Sequence, residues 1–140
     1  TYYVRSYAAN IKGIGYGEAN LFTTLKEINA PTVGVTTVSS IGETSASASA
    51  EITSTGNLAI TEKGFYYSST NAVPTSDDTK VVSVASGTTI TSSLSGLTAN
   101  TKYYIRAYAI NSKGETLGSV ATFATKSDGI PKKDDIESPE

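Results

Sequence analysis

The 140-residue chain contains no cysteine, histidine, methionine or tryptophan, and these absences close off whole classes of chemistry. Without Cys or His there is no Ser-His-Asp or Cys-His nucleophile system. Zinc, haem and iron–sulfur centres would lack their usual ligands, so neither a metal nor a cofactor is expected. Charge is also sparse: 17% of residues are Asp, Glu, Lys or Arg, the formal net charge is -2 and the pI is about 5.1. That argues against an electrostatic nucleic-acid partner. No run of 18 apolar residues occurs, so no membrane-spanning helix is expected. The first residues show no basic-then-apolar pattern, which places any signal peptide outside this chain. A cysteine count of zero suits a cytosolic protein and a disulfide-free bacterial surface protein equally.

What the chain does have is hydroxyl groups. Ser and Thr supply 40 of the 140 residues and Tyr nine more. Thr, Tyr and Val favour pleated, half-buried surfaces, and strong helix formers in periodic array are missing. The composition points to an all-β protein.

A repeat lies at the two ends. Offset by 101 positions, YYVRSYAANIKGIGYGEANLFTT (2–24) lies over YYIRAYAINSKGETLGSVATFAT (103–125) without a gap, and 11 of the 23 positions are identical. A period near one hundred residues matches one Ig-sized sandwich, not a short solenoid unit. Residues 1–24 therefore read as the last hairpin of a preceding module, with strands at 2–10 and 16–24. Residues 25–30 read as a linker, 31–125 as a complete module and 126–140 as a flexible tail. An isolated hairpin is marginal in water, so the face carrying Tyr2, Val4 and Ala8 needs other strands over it. Two sources are open: strands preceding residue 1 in a longer parent, or strand exchange with another molecule.

Within 31–125, alternation and turn signals recur every 8–15 residues, the pattern of a sandwich. Seven strands are expected, at about 32–38, 45–53, 61–69, 79–85, 89–94, 102–111 and 119–125, with SKGETLG joining the last two. The stretch LTANTKYYIRAYAINSKG (97–114) resembles the sixth-strand region of fibronectin type III domains. That resemblance implies an all-β, seven-stranded fibronectin-III/Ig-like sandwich with a tyrosine corner, Tyr103 bonding backbone near Leu97. Tyr103, Ile105, Ala107 and Ala109 would then face the core, and Tyr104, Arg106 and Tyr108 would face outward. The chain departs from the family in having Ala99 where Pro is common and no Trp on the early strands. Phe65 or Tyr67 is expected to fill that central volume. With ITEKGFYYSSTNAVPTSDDTK (60–80), the likeness narrows to fibronectin-III-like repeats of Bacteroidetes surface and secreted proteins, which implies an extracellular or cell-surface setting. The same fold hosts many jobs, so it does not by itself assign one.

Candidate chemistry is thin. Asp77, Asp78 and Glu62 lack the spacing of a calcium loop and read as a solvated turn. KGETLG (113–118) lacks the ending of a phosphate loop. Glu18, Glu51 and Glu115 fall far apart, and no catalytic residue is assigned. Tyr104, Arg106 and Tyr108, repeated as Tyr3, Arg5 and Tyr7, form the one candidate ligand surface, a stacking platform for a glycan or protein. The bland alternative is cross-strand pairing, with Arg stacked between two rings to stabilise the sheet. The six-residue linker permits limited hinging, so neighbouring modules of the parent would form an extended rod. The expected role is a non-catalytic spacer or adhesion module of a multidomain surface or secreted protein. The alternatives are a ligand-binding module and an accessory module of a secreted glycan-degrading enzyme.

Overall fold

The computed structural model describes residues 1–129, and among them there is no helix. Part of the expected tail, 130–140, lies outside the described residues. The N-terminal segment forms four short strands, β1 (Tyr2–Val4), β2 (Tyr7–Asn10), β3 (Gly13–Tyr16) and β4 (Asn20–Phe22). β1 pairs with β4 and β2 with β3, all antiparallel. They are two legs of one long hairpin, interrupted where three residues, 17–19, oppose two, 5 and 6. The interruption is a β-bulge, at which Gly17 N–H donates to Ser6 O at 2.8 Å. The expected two continuous strands are thus each broken, and the second begins at Gly13, not at 16.

The remaining strands are β5 (Thr32–Val33), β6 (Thr37–Ser39), β7 (Ala46–Ser54), β8 (Glu62–Ser68), β9 (Thr79–Val82), β10 (Thr89–Leu94), β11 (Lys102–Asn111), β12 (Gly114–Leu117) and β13 (Ala121–Ala124). β5 and β6 together make the first expected strand, and β12 and β13 the last, which gives the seven strands of an Ig-like sandwich. One sheet runs β10–β7 with β5 and β6 on the far side of β7. The other runs β9–β8–β11 with β12 and β13 beyond β11. The final strand starts at Gly114, so the expected long loop SKGETLG is a two-residue turn at Ser112 and Lys113 followed by strand. Its break is another bulge, with Gly118 N–H donating to Ala107 O at 2.7 Å. A Cβ on Gly118 would sit 3.1 Å from Gly34 O, so glycine here lets the first strand pass close by. The Ala107 N–H freed by the bulge donates to the buried Thr36 Oγ1 at 3.0 Å, so the interruption leaves no orphan donor inside.

The core follows from the alternation. In SASASA the serines face out and Ala46, Ala48 and Ala50 face in, joined by Ile52. This row of small side chains leaves room for the rings of the facing sheet, Phe65, Tyr103 and Phe123, packed with Ile90, Leu94, Ile105, Ala107 and Ala109. Each large apolar side chain removed from water contributes about 1.5–3 kcal/mol. Phe65 is fully buried and takes the central volume where a Trp is missing, while Tyr67 sits partly buried beside it. β9 ends sooner than the expected 85 because Ser83 turns to the other sheet. Its Oγ donates to Thr91 O at 2.8 Å and accepts Thr91 N–H at 2.9 Å.

Candidate functional site

The outer face of the β8–β11 sheet carries the candidate platform. The ladder sets Tyr108 opposite Gly64 and Arg106 opposite Tyr66. Because Gly64 offers no side chain, the Tyr108 ring lies down over it; a Cβ there would be 3.0 Å from Tyr108 Cε1 and 2.1 Å from Val81 O. Tyr66 then stacks on Tyr108 with centroids 4.4 Å apart and planes 14° apart. Both rings are buried, Tyr108 completely. Their hydroxyls donate to carboxylates, Tyr108 Oη to Glu62 Oε1 at 2.8 Å and Tyr66 Oη to Glu115 Oε1 at 2.6 Å. Lys80 Nζ closes the array with an ion pair to Glu62 Oε1 at 2.8 Å and lies 6.0 Å from the Tyr108 ring centre.

The electrostatics follow from this closure. Burial raises both phenols well above the ordinary tyrosine range, and the hydrogen bonds to Glu115 and Glu62 raise them further. The Lys80 hydrogen bond, and then that from Tyr108, hold Glu62 below the usual carboxylate range.

Two expectations are therefore corrected. Tyr108 is on the outer face, as the alternation requires, but it is not available as a platform, because Tyr66 covers it. Arg106 is not stacked between tyrosine rings; its Nε–H donates to Gly118 O at 3.0 Å, at the bulge. What remains of the stripe for a ligand is Tyr104, half-buried, with Lys102 Nζ 5.1 Å from its ring centre. The signal that could have revealed the stack was Gly64 two positions before Tyr66, opposite a tyrosine once the register is known.

Tyr103 Oη accepts a hydrogen bond from Thr98 N–H at 2.9 Å, next to buried Leu97. The partner is a backbone amide, so the Tyr103 hydroxyl acts here as acceptor. Thr125, unmarked in the sequence reading, is buried at the same corner. Its Oγ1 donates to Thr98 O at 2.6 Å and accepts Thr101 N–H at 3.0 Å. Asn111, the last residue of β11, is also buried. Its Oδ1 accepts Lys113 N–H, and its Nδ2 donates to Asn29 O at 2.8 Å and Thr55 O at 2.9 Å. The end of the linker is thereby held on the sandwich, helped by Asn29 N–H to Gly56 O at 2.9 Å and Asn57 Nδ2 to Glu27 O at 2.6 Å.

The acids do not assemble. Asp78 caps its own loop: its Oδ2 accepts Thr75 N–H at 2.9 Å and Asn71 Nδ2–H at 2.8 Å, and these bonds hold its carboxyl below the usual range. Glu51 receives Thr88 Oγ1–H, and Glu115 is taken by Tyr66. Among the described residues no group of three or more acids is placed to hold a metal ion. A surface hollow of about 540 Å³ is lined by Ser39, Ser47, Ser49, Val84, Thr91 and Ser93 among others, and no titratable side chain lines it.

Two antiparallel sheets, one with an inner row of three alanines and an isoleucine, and a sixth strand closing on a buried Tyr define the Ig-like sandwich class. Comparison with solved structures narrows the fold to the fibronectin type III type. The third fibronectin III domain of human KIAA0343 protein superposes with a TM-score of 0.52 at 18% identity, over 81% of this chain and 96% of that one. A computationally redesigned β-sandwich protein matches with a TM-score of 0.51 at 26% identity, over 70% and 95%. Domains A168–A170 of titin match with a TM-score of 0.52 at 20% identity, over 84% of this chain and 38% of that one. No protein-family model and no curated protein sequence matches the chain.

Proposed function

We propose that the chain is a non-catalytic spacer or adhesion module from a multidomain cell-surface or secreted bacterial protein. The observation that carries this reading is the closure of the one candidate platform upon itself: the aromatic and charged groups of the outer face satisfy each other. Tyr66 and Tyr108 stack, their hydroxyls end on Glu115 and Glu62, and Glu62 ends on Lys80. Such an arrangement stiffens a sheet and leaves little unpaired for a ligand. The same hairpin occurring twice about a hundred residues apart supports a string of modules. The surface setting rests on the likeness of 60–80 and 97–114 to Bacteroidetes repeats. An accessory role beside a glycan-degrading catalytic domain is compatible with the same module and differs only in its neighbours.

A ligand-binding reading keeps one support, the half-buried Tyr104 beside Lys102 and Arg106. Binding of the whole chain to arrays of glycans and extracellular proteins separates the two. Blank arrays are expected. Binding that is lost on Tyr104→Ala or Arg106→Ala would replace the spacer reading with a receptor one.

A further inference from the structure

The two copies of the repeated hairpin share more than sequence. Tyr2 pairs with Phe22 as Tyr103 pairs with Phe123, Tyr7 with Tyr16 as Tyr108 with Leu117, and Asn10 with Gly13 as Asn111 with Gly114. The bulge falls at the same place, Gly17 to Ser6 in one and Gly118 to Ala107 in the other. Asn10 Oδ1 accepts Lys12 N–H at 2.8 Å as Asn111 Oδ1 accepts Lys113 N–H at 2.8 Å. The rings of Tyr2 and Phe22 stack 5.6 Å apart, those of Tyr103 and Phe123 5.5 Å apart.

Their surroundings are opposite. Tyr103, Ile105 and Phe123 are 7%, 0% and 6% exposed, whereas Tyr2, Val4 and Phe22 are 57%, 54% and 49% exposed. β11 is paired along its far edge by β8, while no described strand pairs with the corresponding edges of β1 and β2. The chain therefore carries a finished hairpin whose apolar face and outer edge are both bare, and a second copy that shows what belongs on each.

We propose that residues 1–24 form a docking element whose occupant is a five-stranded partial sandwich equivalent to residues 31–101. The partner's β8-type strand would extend the edge of β1 and β2 in the register that β8 takes on β11. Its alanine-faced β7-type strand would cover Tyr2, Val4 and Phe22. The open bulge at Ser6 would receive a Thr36-type hydroxyl, as Ala107 does. A complete second copy of the chain cannot serve, because its own β11 already fills the place. The inference goes beyond the spacer reading, which concerns 31–125 and stands or falls on the arrays.

The test adds a polypeptide of residues 31–101 to the isotope-labelled full chain and reads light scattering and amide exchange. A 1:1 complex is expected, with exchange at the amides of β1 and β2 slowed roughly tenfold or more and exchange in β11 unchanged. Val4→Asp should abolish the complex without altering the melting of 31–125. No complex, one indifferent to Val4→Asp, one that instead displaces β11, or self-association of the full chain through β1 and β2 would each overturn the proposal. Should the added polypeptide prove insoluble, a full chain with the sequence of 1–24 installed in place of 102–125 gives a second reading. It is expected to melt cooperatively, and an unfolded product would show that the hairpin does not fit such a partner.

Discussion

At the scale of single residues, the stability of this protein leans on phenol hydroxyls that have been given fixed partners. Tyr103 lies against Phe123 and reaches Thr98 N–H. Replacing it with Phe keeps the ring and leaves the amide with nothing to donate to. The expected cost is about 1–3 kcal/mol, or a fall in melting temperature of several degrees for a module this size. An unchanged thermal melt would mean that water satisfies Thr98 and that the corner is idle. Tyr66 and Tyr108 make a different prediction. Their folded pKa values lie above the unfolded value of about 10, because burial and the two carboxylates oppose ionisation. A raised folded pKa contributes stability that is fully present below the unfolded value and is lost as the pH climbs through the folded one. Stability should therefore be flat around neutral pH and fall above about pH 10. Ultraviolet titration should show two of the nine tyrosines ionising only as the fold is lost; independent ionisation of all nine in folded protein would contradict the buried stack.

At the scale of elements, the join between linker and sandwich depends on backbone shape as much as on side chains. Gly56 has φ +66°, and a Cβ there would sit 1.9 Å from Asn29 O. Gly56→Ala is expected to lose about 1–2 kcal/mol from the left-handed conformation alone and to push the linker off the turn at 54–57. Amide exchange at Asn29, now protected by Gly56 O, should accelerate; retained protection would show that Asn111 holds the linker unaided. The strands themselves were largely legible. SASASA announces its inward alanines, and YYIRAYAIN its alternation, because a half-buried strand writes its two faces into the sequence with a period of two. The bulges were not legible: KGETLG is dense in turn residues, and only pairing with β11 makes Gly114–Leu117 a strand. The covering of Tyr108 was not legible either. Alternation tells which face a ring is on, while burial on that face depends on the strand next door, here on Gly64 and Tyr66. The linker clamp was hidden for the same reason, since Asn111, Asn29 and Gly56 meet only in the folded chain.

At the scale of the whole molecule, residues 1–24 and 31–125 bury their apolar groups to very different degrees. Every residue from 1 to 29 is exposed, and the buried core is drawn entirely from 46 to 123. The hydrogen bonds that bring the linker onto the sandwich begin only at Glu27. Removing residues 1–24 should then leave the sandwich melting within about 2 °C of the full chain, since surface changes away from the core are worth around half a kcal/mol at most. Removing the twin of that segment, 102–125, takes out Tyr103, Ile105, Ala107, Ala109 and Phe123 together. It also strips β8 of its longest pairing, and the product should show no cooperative transition when dilute enough that the remaining 1–24 hairpin does not dock on a second molecule. Paired melts of the two truncations, which remove segments equal in length and alike in sequence, measure how much more the covered hairpin contributes than its exposed counterpart. Unfolding on loss of 1–24 would mean that the first hairpin supports the sandwich through contacts its exposure argues against, and that the module boundary at residue 31 is misplaced.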